Sequence, residues 1–152
     1  MAEFPKAIES MLAQRRLERI VPNPEHASAV IDTAQRHVAT ARMLADTADL
    51  AMAFTAAYDA ARKALSAVLA AHGLRVRPVG GAHHNTGLAA GAFVDDPALG
   101  DFEWMRQVRN ATEYPSETRP GATRADVEEG IEAAAGLVAA CAEHLRAIAP
   151  DE

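Results

Sequence analysis

A chain of 152 residues is long enough for one domain with its own core. Half of it is apolar, alanine dominates and aromatics make up only 5%. A net charge of −6 excludes broad, non-specific nucleic-acid binding over the whole surface, and the single Cys141 excludes an internal disulfide framework or a cysteine metal cluster. The N-terminus lacks the basic-then-apolar layout of a signal peptide and no run of about 18 apolar residues occurs. A soluble cytoplasmic protein with no membrane contact is therefore expected.

Within residues 3–20, Phe4, Ile8, Met11 and Leu12 recur at helical spacing, with Arg15, Arg16 and Arg19 on the other sides. The pattern predicts a short amphipathic helix or arm over 1–22, ahead of a helical domain over 23–152. Val21-Pro22-Asn23-Pro24 breaks it. Asn23 is a helix cap and Pro24 suits the first helical position, where its missing donor is not needed. The next helix spans 24–45, with Ala27, Val30, Ile31, Ala34, Val38, Ala41 and Ala45 along one side. Asp46 to Asp49 reads as a break and a new cap. A helix over 48–72 follows, in which Leu50, Phe54, Ala57, Ala61, Leu65 and Val68 form the stripe and Tyr58, Arg62 and Lys63 flank it. Gly73 ends it in the left-handed position common after helices.

Residues 74–96 change character. Arg75 and Arg77 are basic, Gly80-Gly81 is flexible, His83-His84-Asn85-Thr86 is polar, and Gly87 to Val94 allow one or two helical turns. A long connection containing a short helix is expected. Asp96-Pro97 caps a helix over 97–114, and Pro115 ends it. Thr123 to Asp126 resembles a capping box, opening a last helix over 123–149. There Val127, Ile131, Ala134, Val138, Cys141, Leu145 and Ile148 step by four and three, a seven-residue seam suited to bundle packing. The expected fold is all-α: an antiparallel four-helix bundle with an additional N-terminal helix.

The stretch Phe102 to Pro115 is the densest in chemistry. It holds the only Trp, Trp104, and ends Arg109-Asn-Ala-Thr-Glu-Tyr-Pro115. Read as a helix, Phe102, Met105 and Arg109 lie on or near one face, with Arg106 and Glu113 beside them, because residues three and four apart stack. Tyr114 sits where the helix stops, free to turn towards Arg109. A guanidinium, an amide, a carboxylate and a phenol at one helix end make either a buried polar network or a site for a phosphate-bearing ligand. Arg75, Arg77, Arg106, Arg119 and Arg124 are expected to line one end of the bundle as a basic rim.

These features resemble HEPN domains over about residues 24–149. The alanine-rich helix Ala53 to Gly73, the polar segment Gly81-Ala-His-His-Asn-Thr86 and the position of Arg109-Asn-Ala-Thr-Glu-Tyr114 carry the likeness. Ribonuclease members of that family carry an arginine followed after four to six residues by a histidine. The chain is similar to the subgroup in which Arg-Asn-x-x-Glu-Tyr-Pro replaces that pattern. The resemblance implies a homodimer, an RNA or nucleotide ligand without metal or other cofactor, and a possible toxin–antitoxin or defence role. It also implies a nucleotidyltransferase-type antitoxin as a partner. In some members such an enzyme adenylylates a tyrosine two residues after the signature histidine, and the corresponding residue here is Ser116.

Tyr114 stands in the histidine's place. A phenol with an ordinary pKa near 10 is a poor proton carrier at neutral pH, although it donates a hydrogen bond to phosphate. The candidate ligand-binding set is Arg106, Arg109, Asn110, His83, His84 and Arg119. The candidate catalytic set of a metal-independent endoribonuclease is Arg109, Asn110, Glu113 and Tyr114, with a loop histidine as the substitute proton carrier. Against both stands a non-catalytic scaffold, in which Arg109 only staples the bundle and His83 and His84 belong to a polar loop capping the next helix. Adjacent histidines point about 100° apart on a helix and make a poor metal pair. His37, Cys141 and His144 are taken as structural, and Trp104 as core or dimer surface.

Overall fold

The computed structural model describes residues 4–118 and 121–150. Among them lie six α-helices: α1 (Lys6–Ala13), α2 (Pro24–Leu44), α3 (Leu50–Ala71), α4 (Ala82–Gly91), α5 (Phe102–Glu113) and α6 (Arg124–Ile148). Two short strands, β1 (Leu17–Arg19) and β2 (Leu74–Val76), form an antiparallel pair with Leu17 opposite Val76. The all-α expectation holds.

The caps explain the helix starts. The Asn23 side chain accepts from His26 N at 3.0 Å, and Asp49 accepts from Met52 N at 3.1 Å. Thr123 and Asp126 exchange side-chain and backbone bonds as a capping box. Each satisfies a donor that a helix end otherwise leaves orphaned.

α3 is the hub, touching α2, α4, α5, α6 and β2. Twelve of its residues are buried, seven of them alanines. Short side chains bring neighbouring helices close, and Tyr58 and Phe54 are the largest of the fully buried side chains among them. α6 meets α3 at Gly130, where a Cβ would lie 2.7 Å from Phe54 Cε2. The seam on α6 is buried from Val127 to Cys141, but Leu145 is half-buried and Ile148 is 41% exposed. Gly130, Leu137 and Ala142 widen the stripe instead.

Several expectations are corrected. α1 stops at Ala13, because Arg15 takes φ 62°, and the chain turns into β1 rather than continuing as helix. Three-residue strands are too short for alternation to show in the sequence. β1 closes over the end of α3, with Ile20 N donating to Gly73 O at 2.9 Å. Gly73, at φ 77°, has room for no Cβ: one would meet Ile20 O at 2.9 Å. The N-terminal segment thus packs on the bundle, with Ile8, Met11 and Leu17 joining Leu69, Leu74 and Ala89 in a second apolar cluster. His83 and His84 lie in the first turn of α4 rather than in a capping loop. The helix expected over 97–114 begins as a 3-10 turn, Pro97–Asp101, and becomes α-helical at Phe102.

The basic rim does not form. Arg77 Nη1 donates to Arg15 O and Arg75 pairs with Glu18, both beside the strands at the end of α3. Arg124 donates to Ala45 O at the opposite end, where α2 turns into α3. Alternating helices put the loop after α3 and the loop after α5 at opposite ends. Arg119 lies outside the described residues.

At the far end of α3, His72 Nε2 lies 2.9 Å from His144 Nε2 of α6, and the His72 ring stacks on Phe93 with centroids 3.9 Å apart. Burial holds both imidazoles below their ordinary pKa, and for His72 the neighbouring His144 adds to the effect. Such groups take up protons more readily when unfolded, so stability is full above the unfolded value near 6.5 and falls as pH drops through it. The urea midpoint is expected to fall between pH 7.5 and 5.5, and to fall less in a His72→Gln/His144→Gln variant. A midpoint that rises towards pH 5.5 contradicts this. Separately, Gly130→Ala should cost up to about 2 kcal/mol in urea unfolding, since overpacking against Phe54 outweighs alanine's better helix propensity. Unchanged or raised stability would show that Phe54 yields freely.

Candidate functional site

The site is built where α3, α4 and α5 meet. Tyr58 lies one turn after Phe54 on α3 and is 1% exposed. Asp59 and Arg62 follow it, and Arg62, one turn on, emerges on the same side. Phe102, at the start of α5, lies flat against the Tyr58 ring, with centroids 5.3 Å apart and planes 11° apart. Gly87 of α4 makes this stack possible, because a Cβ there would meet Phe102 Cδ2 at 2.8 Å. The Tyr58 hydroxyl lies 2.9 Å from His83 Nδ1, and the Arg109 guanidinium carbon stands 5.8 Å from the Tyr58 ring centroid.

Arg109 is the most constrained charge in the group. Its Nη2 lies 3.1 Å from Glu113 Oε1, one turn along α5, while its Nε is buried without a hydrogen-bond partner. Arg106 forks onto Glu103, with Nε and Nη2 donating at 3.0 and 2.6 Å. His84 Nδ1 reaches the same carboxylate at 3.3 Å. Arg62 pairs with Asp59 at 3.3 Å. Each of the three arginines is thus held by a carboxylate on its own helix, and the cluster is close to neutral despite its density of cations.

The electrostatics follow from that packing. Burial pushes the Tyr58 phenol up to about 12, against smaller opposing effects of Arg109, Arg62 and Arg106. Burial also lowers His83, and the charges of Arg62, Arg109 and Arg106 lower it further against Asp59. The Arg106 hydrogen bonds hold Glu103 down at about 2, and the same bonds raise Arg106. At neutral pH the site therefore holds a protonated phenol, a neutral imidazole and three guanidiniums. Among the described residues no group of three or more His, Cys, Asp or Glu side chains is placed to hold a metal ion, and no helix is long and apolar enough to cross a membrane.

Of the residues singled out from sequence, Arg109, Glu113, Arg106, His83 and His84 come together here. Tyr114 does not: it ends α5 with 77% of its surface exposed, and the ring beside Arg109 is that of Tyr58. Asn110 is exposed on the neighbouring side of α5. Tyr58, Asp59, Arg62, Phe102 and Glu103 complete the site without having been picked as site residues. The signal for the first three was the polar Tyr-Asp pair and Arg62 one turn on, interrupting an alanine-rich helix. Trp104 packs edge-to-face on Phe54, with centroids 6.0 Å apart, and Cys141 is buried, its thiol pushed up to about 12.

A family model described as the HEPN domain matches residues 27–145, which contain every residue of this cluster. No curated protein and no solved structure matches the chain.

The Arg106 fork gives a direct check. A pH titration followed by carboxyl carbon shifts should keep Glu103 ionised through pH 3, with its midpoint at about 2. Arg106→Ala should return it towards the ordinary glutamate range near 4.3. A wild-type midpoint in that ordinary range would mean that the fork does not persist in solution.

Proposed function

This chain belongs to the HEPN domain family, and from that premise we propose that it binds RNA, or a ligand bearing a nucleotide phosphate, at the cleft around Arg109. The observation that carries this reading is the Arg109 guanidinium: half-enclosed, beside a buried tyrosine ring, with one buried donor unpaired and its charge shared with a single carboxylate. Half-exposed ion pairs of this kind contribute only about 0.2–1 kcal/mol. A phosphate, which accepts forked hydrogen bonds from arginine more strongly, displaces Glu113 and recruits Arg106 and Arg62 in the same way. The protein works as a cytoplasmic homodimer, supported by apolar exposure at Leu88 of α4 and Tyr114 after α5, the two helices that frame the cleft. A toxin–antitoxin or defence role with a nucleotidyltransferase-type partner is part of the same proposal.

A second reading, a metal-independent endoribonuclease, is favoured by one observation. His83, neutral at pH 7, lies within reach of the same arginines, whereas Tyr114 turns to solvent. In that reading Arg109 stabilises the phosphate and His83 moves the proton. In the scaffold reading, removing Arg109 chiefly unfolds the bundle.

Fluorescence anisotropy with short single-stranded RNA over a salt series tests the proposal. Three arginine–phosphate contacts predict a slope of log K against log salt of about −2. Arg109→Ala, checked for native helicity, should weaken binding by about tenfold or more. Salt-independent or unaltered affinity would remove the binding reading, and RNA cleavage in EDTA lost in both Arg109→Ala and His83→Ala would favour the enzyme.

A further inference from the structure

The Tyr58–His83 contact determines which nitrogen of the imidazole faces the cleft. Tyr58 Oη is buried, and among the described residues its hydrogen-bond partner is His83 Nδ1, 2.9 Å away. A buried O–H left without an acceptor is strongly disfavoured. The phenol therefore donates, and Nδ1 must carry a lone pair to accept. Among the described residues His83 Nε2 has no hydrogen-bond partner and is not enclosed, so it is open to solvent.

We propose that Tyr58 is the positioning residue of the cleft: by donating to His83 Nδ1 it fixes the neutral Nε2–H tautomer, which faces outward as a hydrogen-bond donor to a phosphate oxygen. This rests on the phosphate-binding reading and deepens it. The imidazolium is opposed on three counts. Burial disfavours its charge, it would make the phenol accept from Nδ1–H and leave its own O–H without an acceptor, and Arg62, Arg109 and Arg106 repel it while Asp59 favours it. The tautomer also separates the two functional readings. Nε2 carries a proton and no lone pair, so it cannot remove the proton of a 2′-hydroxyl. In this state the cleft offers phosphate a donor and offers a nucleophile no base; a ribonuclease using His83 as its general base would need the opposite tautomer, with the Tyr58 O–H left without an acceptor.

Long-range 15N–1H correlation of the imidazole, with His83 assigned by His83→Gln, reads the tautomer directly. The wild type without ligand should show a protonated Nε2 and an unprotonated Nδ1 at neutral pH, and Tyr58→Phe should give a mixture of tautomers. A protonated Nδ1 in the wild type, or a folded Tyr58→Phe with unchanged nitrogens, overturns the proposal. On adding short single-stranded RNA, with inorganic phosphate as the comparison, the Nε2–H signal should move. RNA that binds and is lost in Arg109→Ala, yet leaves Nε2 unmoved, overturns the donor role. Absence of any RNA or phosphate binding overturns the underlying reading, while the ligand-free spectrum still decides the tautomer.

Discussion

The molecule depends on keeping one phenol dry. Tyr58 sits in the middle of the hub helix at 1% exposure, and its hydroxyl must still find a partner. α4 supplies His83 for the hydroxyl, α5 supplies Phe102 for the ring, and the Arg109 guanidinium stands over the ring. Gly87 has no side chain because Phe102 occupies that space. Four residues from two helices are thus constrained by one buried side chain on a third. The polar cleft and the apolar core share that side chain, so they cannot vary independently.

Around this point the packing is made from small residues. Alanines on α2, α3 and α6 bring the helices close, and Gly130 admits the Phe54 ring. Phe54 in turn supports Trp104 of α5. The N-terminal segment closes the other end through β1 and its apolar cluster. Charge is managed locally. Arg62, Arg106 and Arg109 each rest on a carboxylate of their own helix, which lets a net-acidic protein keep three guanidiniums near one aromatic ring. On the proposed function, those carboxylates are what a phosphate competes with. Modest, salt-sensitive affinity then follows from the site's construction.

Much of this was legible in the sequence, for local reasons. Asn23, Asp49 and Thr123 announced helix starts because caps act within three residues. The stripe from Phe54 to Val68 announced the hub face because burial follows helical period. The polar end of α5 was visible because Arg109 and Glu113 are one turn apart on one helix. What escaped depends on contacts between distant segments. Tyr58 was seen only to flank the stripe, since its burial comes from α4 and α5 closing over it. The tyrosine beside Arg109 was sought at Tyr114, five residues away in sequence, and found fifty-one residues away. The β1–β2 pair escaped because three residues carry no alternation. The supposed basic rim failed on direction alone, because Arg124 and Arg77 bind carbonyls at opposite ends of the bundle.

The most direct test of the account is a crystal structure of the protein with a short single-stranded RNA. The account predicts a backbone phosphate on the Arg109 guanidinium, in place of Glu113, with one of its oxygens facing His83 Nε2. RNA seated elsewhere, for instance in the apolar groove between the start of α2 and the end of α6 lined by Ile31, Leu145 and Ile148, with Arg109 still on Glu113, would contradict it.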